Sequence, residues 1–335
     1  MPSVASAKEG VTEASNLLQL LYSEGSNCEL KIRELVSAAF PGIEIALDFT
    51  VPQAIEFRIG TNFDKLPKDP RDSIKILSNC QKLDEQGDGL RSYVGVVTAL
   101  TVLKRPLFLI DEPEAFLHPP QAARIGRFIA SQASDERQII VATHSSDVLR
   151  GIIFASREAQ IVRLQKQGEK YTVCVLNKTD LQEIANDPLL SAAGVMDGLF
   201  YSGVVVTEAE ADSRFYMSAS NKMNESLDFH FINADNKQTV PKVVATYKKL
   251  NVRSAGIVDI DVINDAKEFK KQVDALGLSG DELRDVIEAQ RQINIFVVKN
   301  NLSENLGLVI NELKVLGNLP NATNPVLPPF LRFLL

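Results

Sequence analysis

Two stretches, EIALDFT (44–50) and AIEFRIG (54–60), alternate apolar and polar residues. Successive strand side chains point to opposite faces, so this period of two predicts a pair of half-buried antiparallel strands. Ahead of them, Leu17, Leu18, Leu20, Leu21, Leu30, Ile32 and Leu35 recur at helical spacing and predict an amphipathic helical start. Beyond them, SIKILSNCQKLDEQGDGLRSYVGVVTALTVL passes through a glycine-containing loop at 87–89 into a helix ending near Lys104.

The pattern then changes. An apolar run, LFLID (107–111), follows Pro106 and predicts a strand. A helix is expected over 121–133, and QIIVATH (138–144) is a second apolar strand. Strand, helix, strand in that order is the signature of a parallel sheet. IVRLQKQGEKYTVCVL (161–176) predicts a β-hairpin around Gln167-Gly168. A connector broken by Pro188 leads to another α/β pattern. It contains GVVVTEAEADSRFYMSA, FHFINA, a helix near 240–250, SAGIVDIDVIND, a further helical stretch, and NIFVVKNNLSENL as a late strand and loop. The expected fold class is therefore α/β in two domains, 1–185 and 196–335. The ending, NLPNATNPVLPPFLRFLL, is rich in proline and apolar residues and reads as a chain that continues.

Composition narrows the function only a little. The 335 residues hold 45% hydrophobic and 24% charged residues, as ordinary globular proteins do, and the length suits about two domains. No apolar run reaches membrane-span length, so no membrane partner is expected. The first ten residues lack the pattern of a secretion signal. Cys28, Cys80 and Cys174 form no CxxC pair, which favours buried free thiols and a cytoplasmic protein. A net charge of -7 argues against coating nucleic acid by bulk charge, but clustered metal-holding acids would also lower the charge of a nuclease.

The first candidate chemistry lies where LFLID ends. Ligands of parallel α/β sheets gather at the carboxyl ends of the strands. Asp111 and Glu112 end one such strand, and Thr143 and His144 end the next. An Asp there can hold Mg²⁺ through water, the next Glu can polarise a water attacking a γ-phosphate, and His144 can contact that phosphate. FLIDEPEAFLHP followed by IIVATHSSDVL resembles the Walker B segment and switch histidine of ABC-type ATPases, in the version of RecF-like and OLD-family (overcoming lysogenization defect) proteins. The resemblance makes Asp111 the Mg²⁺-supporting acid, Glu112 the catalytic base and His144 the γ-phosphate sensor, with ATP as nucleotide. It also puts QGDGLRS (86–92) in the place of the signature loop, where Gly87 and Gly89 would offer amides to a phosphate across a dimer. An ordinary loop at a helix start is the competing reading. No G-x-x-x-x-G-K-[ST] motif occurs in the 335 residues, so the phosphate-binding amides and lysine are not encoded here. Either the chain is the C-terminal part of a longer protein or the ATPase site has degenerated.

A second cluster lies downstream. In GVVVTEAEADSRFY, Glu208 ends an apolar strand, and Glu208 and Asp212 share a face if a helix starts after Thr207. In SAGIVDIDVIND, Asp259 and Asp261 would share one side of a strand end. Four carboxylates at adjacent strand ends would repel unless a cation sat among them, and oxygen ligands suit Mg²⁺ or Mn²⁺. Acids decorating a helix start are the bland reading of Glu208 and Asp212, but they do not explain a separate Asp-x-Asp. This half resembles a TOPRIM domain, with Ala209 where that family usually has glycine. The resemblance implies that Lys299 neutralises a scissile phosphate and that Glu304 completes the metal site.

Walker B and switch histidine followed by TOPRIM is the domain order of OLD-family ATPase-nucleases. The resemblance therefore implies a metal-dependent DNA endonuclease or nickase gated by an ABC-type ATPase, acting in bacterial anti-phage defence. DNA, a second copy of the chain or a higher oligomer, and a defence-system protein are the implied partners. Two other readings stand beside it. One is a non-cleaving, nucleotide-sensing scaffold on DNA, and the other is a RecF- or SMC-like repair ATPase.

Overall fold

The structure, a computed structural model, describes residues 16–51, 54–67, 69–156, 158–167, 169–176, 187, 194–223 and 228–299. The chain divides into two compact units, Met1–Ile161 with Asn177–Ala185, and Val162–Leu176 with Asn186–Leu335.

In the first unit, helix α1 (Leu17–Glu24) starts at Asn16, whose side chain accepts from the Gln19 N–H. It stops at Gly25, where a φ of 90° turns the chain directly into α2 (Ser26–Ala39). The two alternating stretches form the expected antiparallel pair, β1 (Glu44–Val51) and β2 (Ala54–Gly60), with Leu47 opposite Phe57. Both faces of this sheet are covered. Ile45 and Leu47 join a core with Ile32 and Val36 of α2, while Ala46 packs with Phe63 and with Leu77 of α3 (Pro70–Leu77). A short strand β3 (Gln81–Lys82) pairs with β2. The polar side chains buried here are paired, as burial of charge demands. Arg58 contacts Asp48 at 2.9 Å, and Lys82 contacts Glu56 at 3.0 Å.

Helix α4 (Asp88–Val102) runs through the core because Leu90, Tyr93, Val94, Val97 and Leu100 recur every three or four residues and are all buried. The strand–helix–strand prediction also holds. β4 (Leu107–Asp111) and β5 (Gln138–Ala142) are parallel, in register from Leu107 opposite Gln138 to Asp111 opposite Ala142. Between them runs α5 (Pro119–Gln132), opened by prolines whose missing N–H groups need no partner in the first turn. α6 (Ser146–Ala155) packs on α5 so closely that a Cβ on Gly126 would lie 2.3 Å from the Val148 carbonyl oxygen. One face of the β4–β5 pair, formed by Phe108, Ile110, Ile139 and Val141, joins the core.

The second unit begins with the expected hairpin, β6 (Ile161–Gln167) and β7 (Lys170–Leu176). The sequence assigns it to the first domain, but its residues from Val162 on group with the second unit. Arg163 explains this: its guanidinium donates to the carbonyls of Leu199, Asn251 and Tyr201 at 2.8, 3.1 and 3.1 Å. A parallel sheet follows, with β8 (Gly203–Thr207) in the centre, β9 (Phe229–Asn233) on one side and β10 (Ser254–Ile257) on the other. Helices α7 (Glu210–Met223), α8 (Val240–Lys249), α9 (Ala266–Ala275) and α10 (Gly280–Lys299) complete it.

The late strand expected at NIFVV is a correction: these residues close helix α10. The apolar run looks extended by itself, but Leu283, Val286, Ile287 and Ile293 continue a helical spacing onto the cluster around Phe269. The three cysteines are free thiols, half-buried rather than buried. Among the described residues, no helix is long and apolar enough to cross a membrane.

Candidate nucleotide and metal sites

In the first unit, the strand ends bring the expected residues together. Asp111 closes β4 and is exposed. Glu112 follows with a φ of 45°, a left-handed conformation that costs a non-glycine residue roughly 1–2 kcal/mol. Its N–H still bonds to the Ala142 carbonyl at 2.9 Å, so the register of the strand pair holds the strained residue in place. The Glu112 carboxylate lies 3.3 Å from His144 Nδ1, and both side chains are exposed. A carboxylate that can orient a water and an imidazole that can meet a phosphate thus stand at one open edge.

A residue that the sequence does not single out holds this edge together. Glu114 is buried, and its Oε1 accepts from the Thr143 hydroxyl at 2.6 Å and from the His144 N–H at 3.1 Å. The same oxygen is 3.5 Å from His144 Nδ1. Thr143 in turn accepts from the Ser145 N–H, and Ser145 caps α6. The available signal was the third acid in D-E-P-E, directly before the apolar pair Ala115-Phe116.

Gly87 and Gly89 lie at the start of α4, as the signature-loop resemblance expects, but their surroundings differ. Gly87 caps the helix and has open space where a Cβ would go. Gly89 is pressed against the turn after β4, where a Cβ would lie 2.4 Å from the Phe116 carbonyl oxygen. Packing alone therefore requires a glycine at 89.

In the second unit, β8 and β10 are neighbours, so Glu208 and Asp259 follow adjacent strand ends. The Asp259 N–H donates to Glu208 Oε2 at 3.4 Å. The alternating-face argument for Asp259 and Asp261 does not hold, because β10 stops at Ile257 and residues Ile260–Asn264 form a 3-10 turn. Asp212 turns back on its own helix start, where it accepts from the Ala209 N–H at 3.3 Å. A fifth charged group is a cation that the sequence does not single out. Lys237, from the loop after β9, places Nζ 2.6 Å from Asp261 Oδ2. The hydrogen bond to Asp261 raises the pKa of this ammonium, and the nearby charges of Glu208 and Asp259 add to the effect.

The oxygen donors suit a hard divalent cation in kind. Among the described residues, however, no three His, Cys, Asp or Glu side chains are arranged to hold one metal ion. Lys299 ends helix α10 rather than a strand, and Glu304 lies outside the described residues.

The first unit is a mixed α/β module with a parallel strand pair, β4 and β5, at its acid-bearing edge. Residues 80–150 match the family model described as "AAA domain, putative AbiEii toxin, Type IV TA system". The match holds Gly87, Gly89, Asp111, Glu112, Glu114 and His144. No curated protein matches the chain.

Several solved structures are similar at low identity. One, from work on ATP-driven dimerization and DNA-stimulated activation of SMC ATPases, is 16% identical with a TM-score of 0.34. That similarity covers 48% of this chain and 92% of the other. An Smc head domain from Pyrococcus furiosus, bound to the C-terminal domain of ScpA, is 14% identical with a TM-score of 0.35, over 47% of this chain and 36% of that one. An SmcHead bound to the C-winged helix domain of ScpA is 15% identical with a TM-score of 0.37, over 52% and 53%.

Proposed function

We propose that this chain is a metal-dependent DNA endonuclease or nickase of OLD type, with a TOPRIM-like second unit governed by the ATPase module of the first. The observation that carries the reading is the meeting of Glu208 and Asp259 at adjacent ends of a parallel sheet, with Asp261 in the following turn. Glu208, Asp259 and Asp261 would hold Mg²⁺ or Mn²⁺. Such an ion supplies an activated water and a stabilised leaving oxygen for phosphodiester cleavage. Asp212 fixes the turn that presents Glu208, and Lys299 and Glu304 keep their roles only through the family resemblance.

In the first unit, Asp111, Glu112 and His144 would face Mg²⁺ and the triphosphate of an ATP whose P-loop is not in these 335 residues. Gly87 and Gly89 would approach it from a second protomer, so the reading includes a homodimer or higher oligomer. DNA and a defence-system protein are the further partners, in the bacterial cytoplasm. The family model's description, which names a toxin, fits a defence setting.

The second reading, a non-cleaving nucleotide-sensing scaffold, is favoured by one observation: an ammonium group already sits beside the acids of the second unit. Plasmid nicking with Mg²⁺ or Mn²⁺ separates the two. The nuclease reading expects metal-dependent nicking that Asp259→Ala abolishes while the fold is kept. Absence of nicking by the folded chain, or nicking indifferent to this substitution, would favour the scaffold.

A further inference from the structure

The two nitrogens of His144 do not have the same surroundings. Nδ1 faces two carboxylates, 3.3 Å from Glu112 Oε1 and 3.5 Å from Glu114 Oε1. Nε2 lies on the opposite edge of an imidazole ring, so it is the nitrogen left for a ligand. The two acids are not equivalent either. Glu112 is the nearer, but its side chain is 57% exposed, and water and salt screen a charge so placed. Glu114 is slightly farther, yet its side chain is 8% exposed, and a charge in that setting acts through a lower effective dielectric. Its charge is also incompletely met. Oε1 accepts from the Thr143 hydroxyl and the His144 N–H, while Oε2 is buried with no hydrogen-bond partner among the described residues. A shielded carboxylate with acceptor capacity to spare favours a proton on the ring nitrogen that faces it.

We propose that Glu114 is a positioning residue that fixes the ring proton of His144 on Nδ1 and so decides what Nε2 can meet. With Nδ1 protonated, the neutral ring offers only a lone pair at Nε2. That lone pair accepts from a water, whereas a phosphate oxygen needs a donor. His144 held in this way meets a phosphate only as the doubly protonated ring. Glu114 thus does more than tie two strand ends together through Thr143 and the His144 backbone. It sets the hydrogen-bonding character of a side chain that is itself 72% exposed and ready for a ligand. The inference rests on the nucleotide reading of this edge only for what Nε2 meets. The place of the proton is independent of that reading.

Long-range proton–nitrogen correlation spectra of the full chain, labelled with ¹⁵N-histidine, report the tautomer, and three histidines are readily assigned. The spectra are taken without nucleotide, at a pH where the ring is neutral, on wild type, Glu112→Gln and Glu114→Gln. The Nδ1–H form of His144 should predominate in wild type and in Glu112→Gln. In Glu114→Gln, which keeps an acceptor for Thr143 and the His144 N–H but removes the charge, the ratio should move about tenfold toward Nε2–H. A purely structural role for Glu114 would leave the ratio alone, so an unchanged ratio in the folded variant overturns the proposal. So does a shift in Glu112→Gln but not in Glu114→Gln, which assigns the proton to the exposed acid. A wild-type ring that is mostly Nε2–H overturns it without any variant. Mg²⁺-ATP added to wild type tests the nucleotide reading separately: His144 signals that ignore it remove that reading and leave the place of the proton standing.

Discussion

The backbone N–H of His144 donates to Glu114 across a separation of thirty residues, at 3.1 Å. This bond ties the turn after β4 to the end of β5, and the Thr143 hydroxyl doubles it at 2.6 Å. The second carboxylate oxygen, Oε2, is buried with no hydrogen-bond partner among the described residues. Glu114 thus orders the histidine edge at some cost in solvation. Replacing it with alanine removes the acceptor of two part-buried donors and should destabilise the first unit by about 1–2 kcal/mol. Glu114→Gln keeps an acceptor in place and should lose less. Urea unfolding of the two variants checks the order, and equal losses would show that charge rather than the acceptor matters.

Gly87 and Gly89 are equivalent in a phosphate-binding loop but not in this packing. A methyl group at 89 meets the Phe116 carbonyl, and an obstruction of that kind costs typically ~1–3 kcal/mol. At 87 it meets nothing within contact range. Gly89→Ala should therefore lower the thermal midpoint, with Gly87→Ala close to wild type. If both variants melt as wild type does, the turn after β4 yields more readily than its carbonyl position implies.

The legible parts of the chain were those with local physical causes. Alternation found β1 and β2, and an apolar run ending in acids found β4. Asp111, Glu112 and His144 were placed because strand ends are where parallel sheets present polar groups. Two features depended on groups distant in sequence, and a third on the earlier turns of its own helix. Glu114 looks like a surface acid until Thr143 and His144 close over it. Lys237 is an unremarkable loop lysine until β9 and β10 are set on either side of β8. NIFVV reads as a strand because four apolar residues in a row, Ile295 to Val298, hide the helical period that Leu283 and Val286 establish before it.

The outer face of the β4–β5 pair carries Leu107, Leu109 and Ile140, which are 48, 72 and 51% exposed. Parallel sheets are ordinarily covered on both faces, and exposed apolar patches promote self-association. Leu109→Lys should reduce the concentration dependence of light scattering. It should leave unfolding free energy within about 0.5 kcal/mol, since the side chain makes little core contact. A large loss of stability would mean that Leu109 packs more tightly than its exposure indicates.

His230 supplies the pH dependence. It lies in β9, stacked on Tyr201 with ring centroids 4.7 Å apart, and its Nε2 is buried without a hydrogen-bond partner among the described residues. Burial lowers its pKa below the usual histidine value, and the nearby Asp197 offsets this only in part. As pH falls below ~6.5, the unfolded chain takes up a proton at this position that the folded chain refuses. The unfolded state then binds more protons, so stability falls with pH until the lower folded value is passed. The urea midpoint of the second unit should therefore drop between pH 7.5 and pH 5.5. In His230→Phe, which keeps an aromatic ring beside Tyr201 but cannot titrate, part of that drop should disappear. Parallel pH profiles for the two proteins would assign the acid sensitivity to other groups.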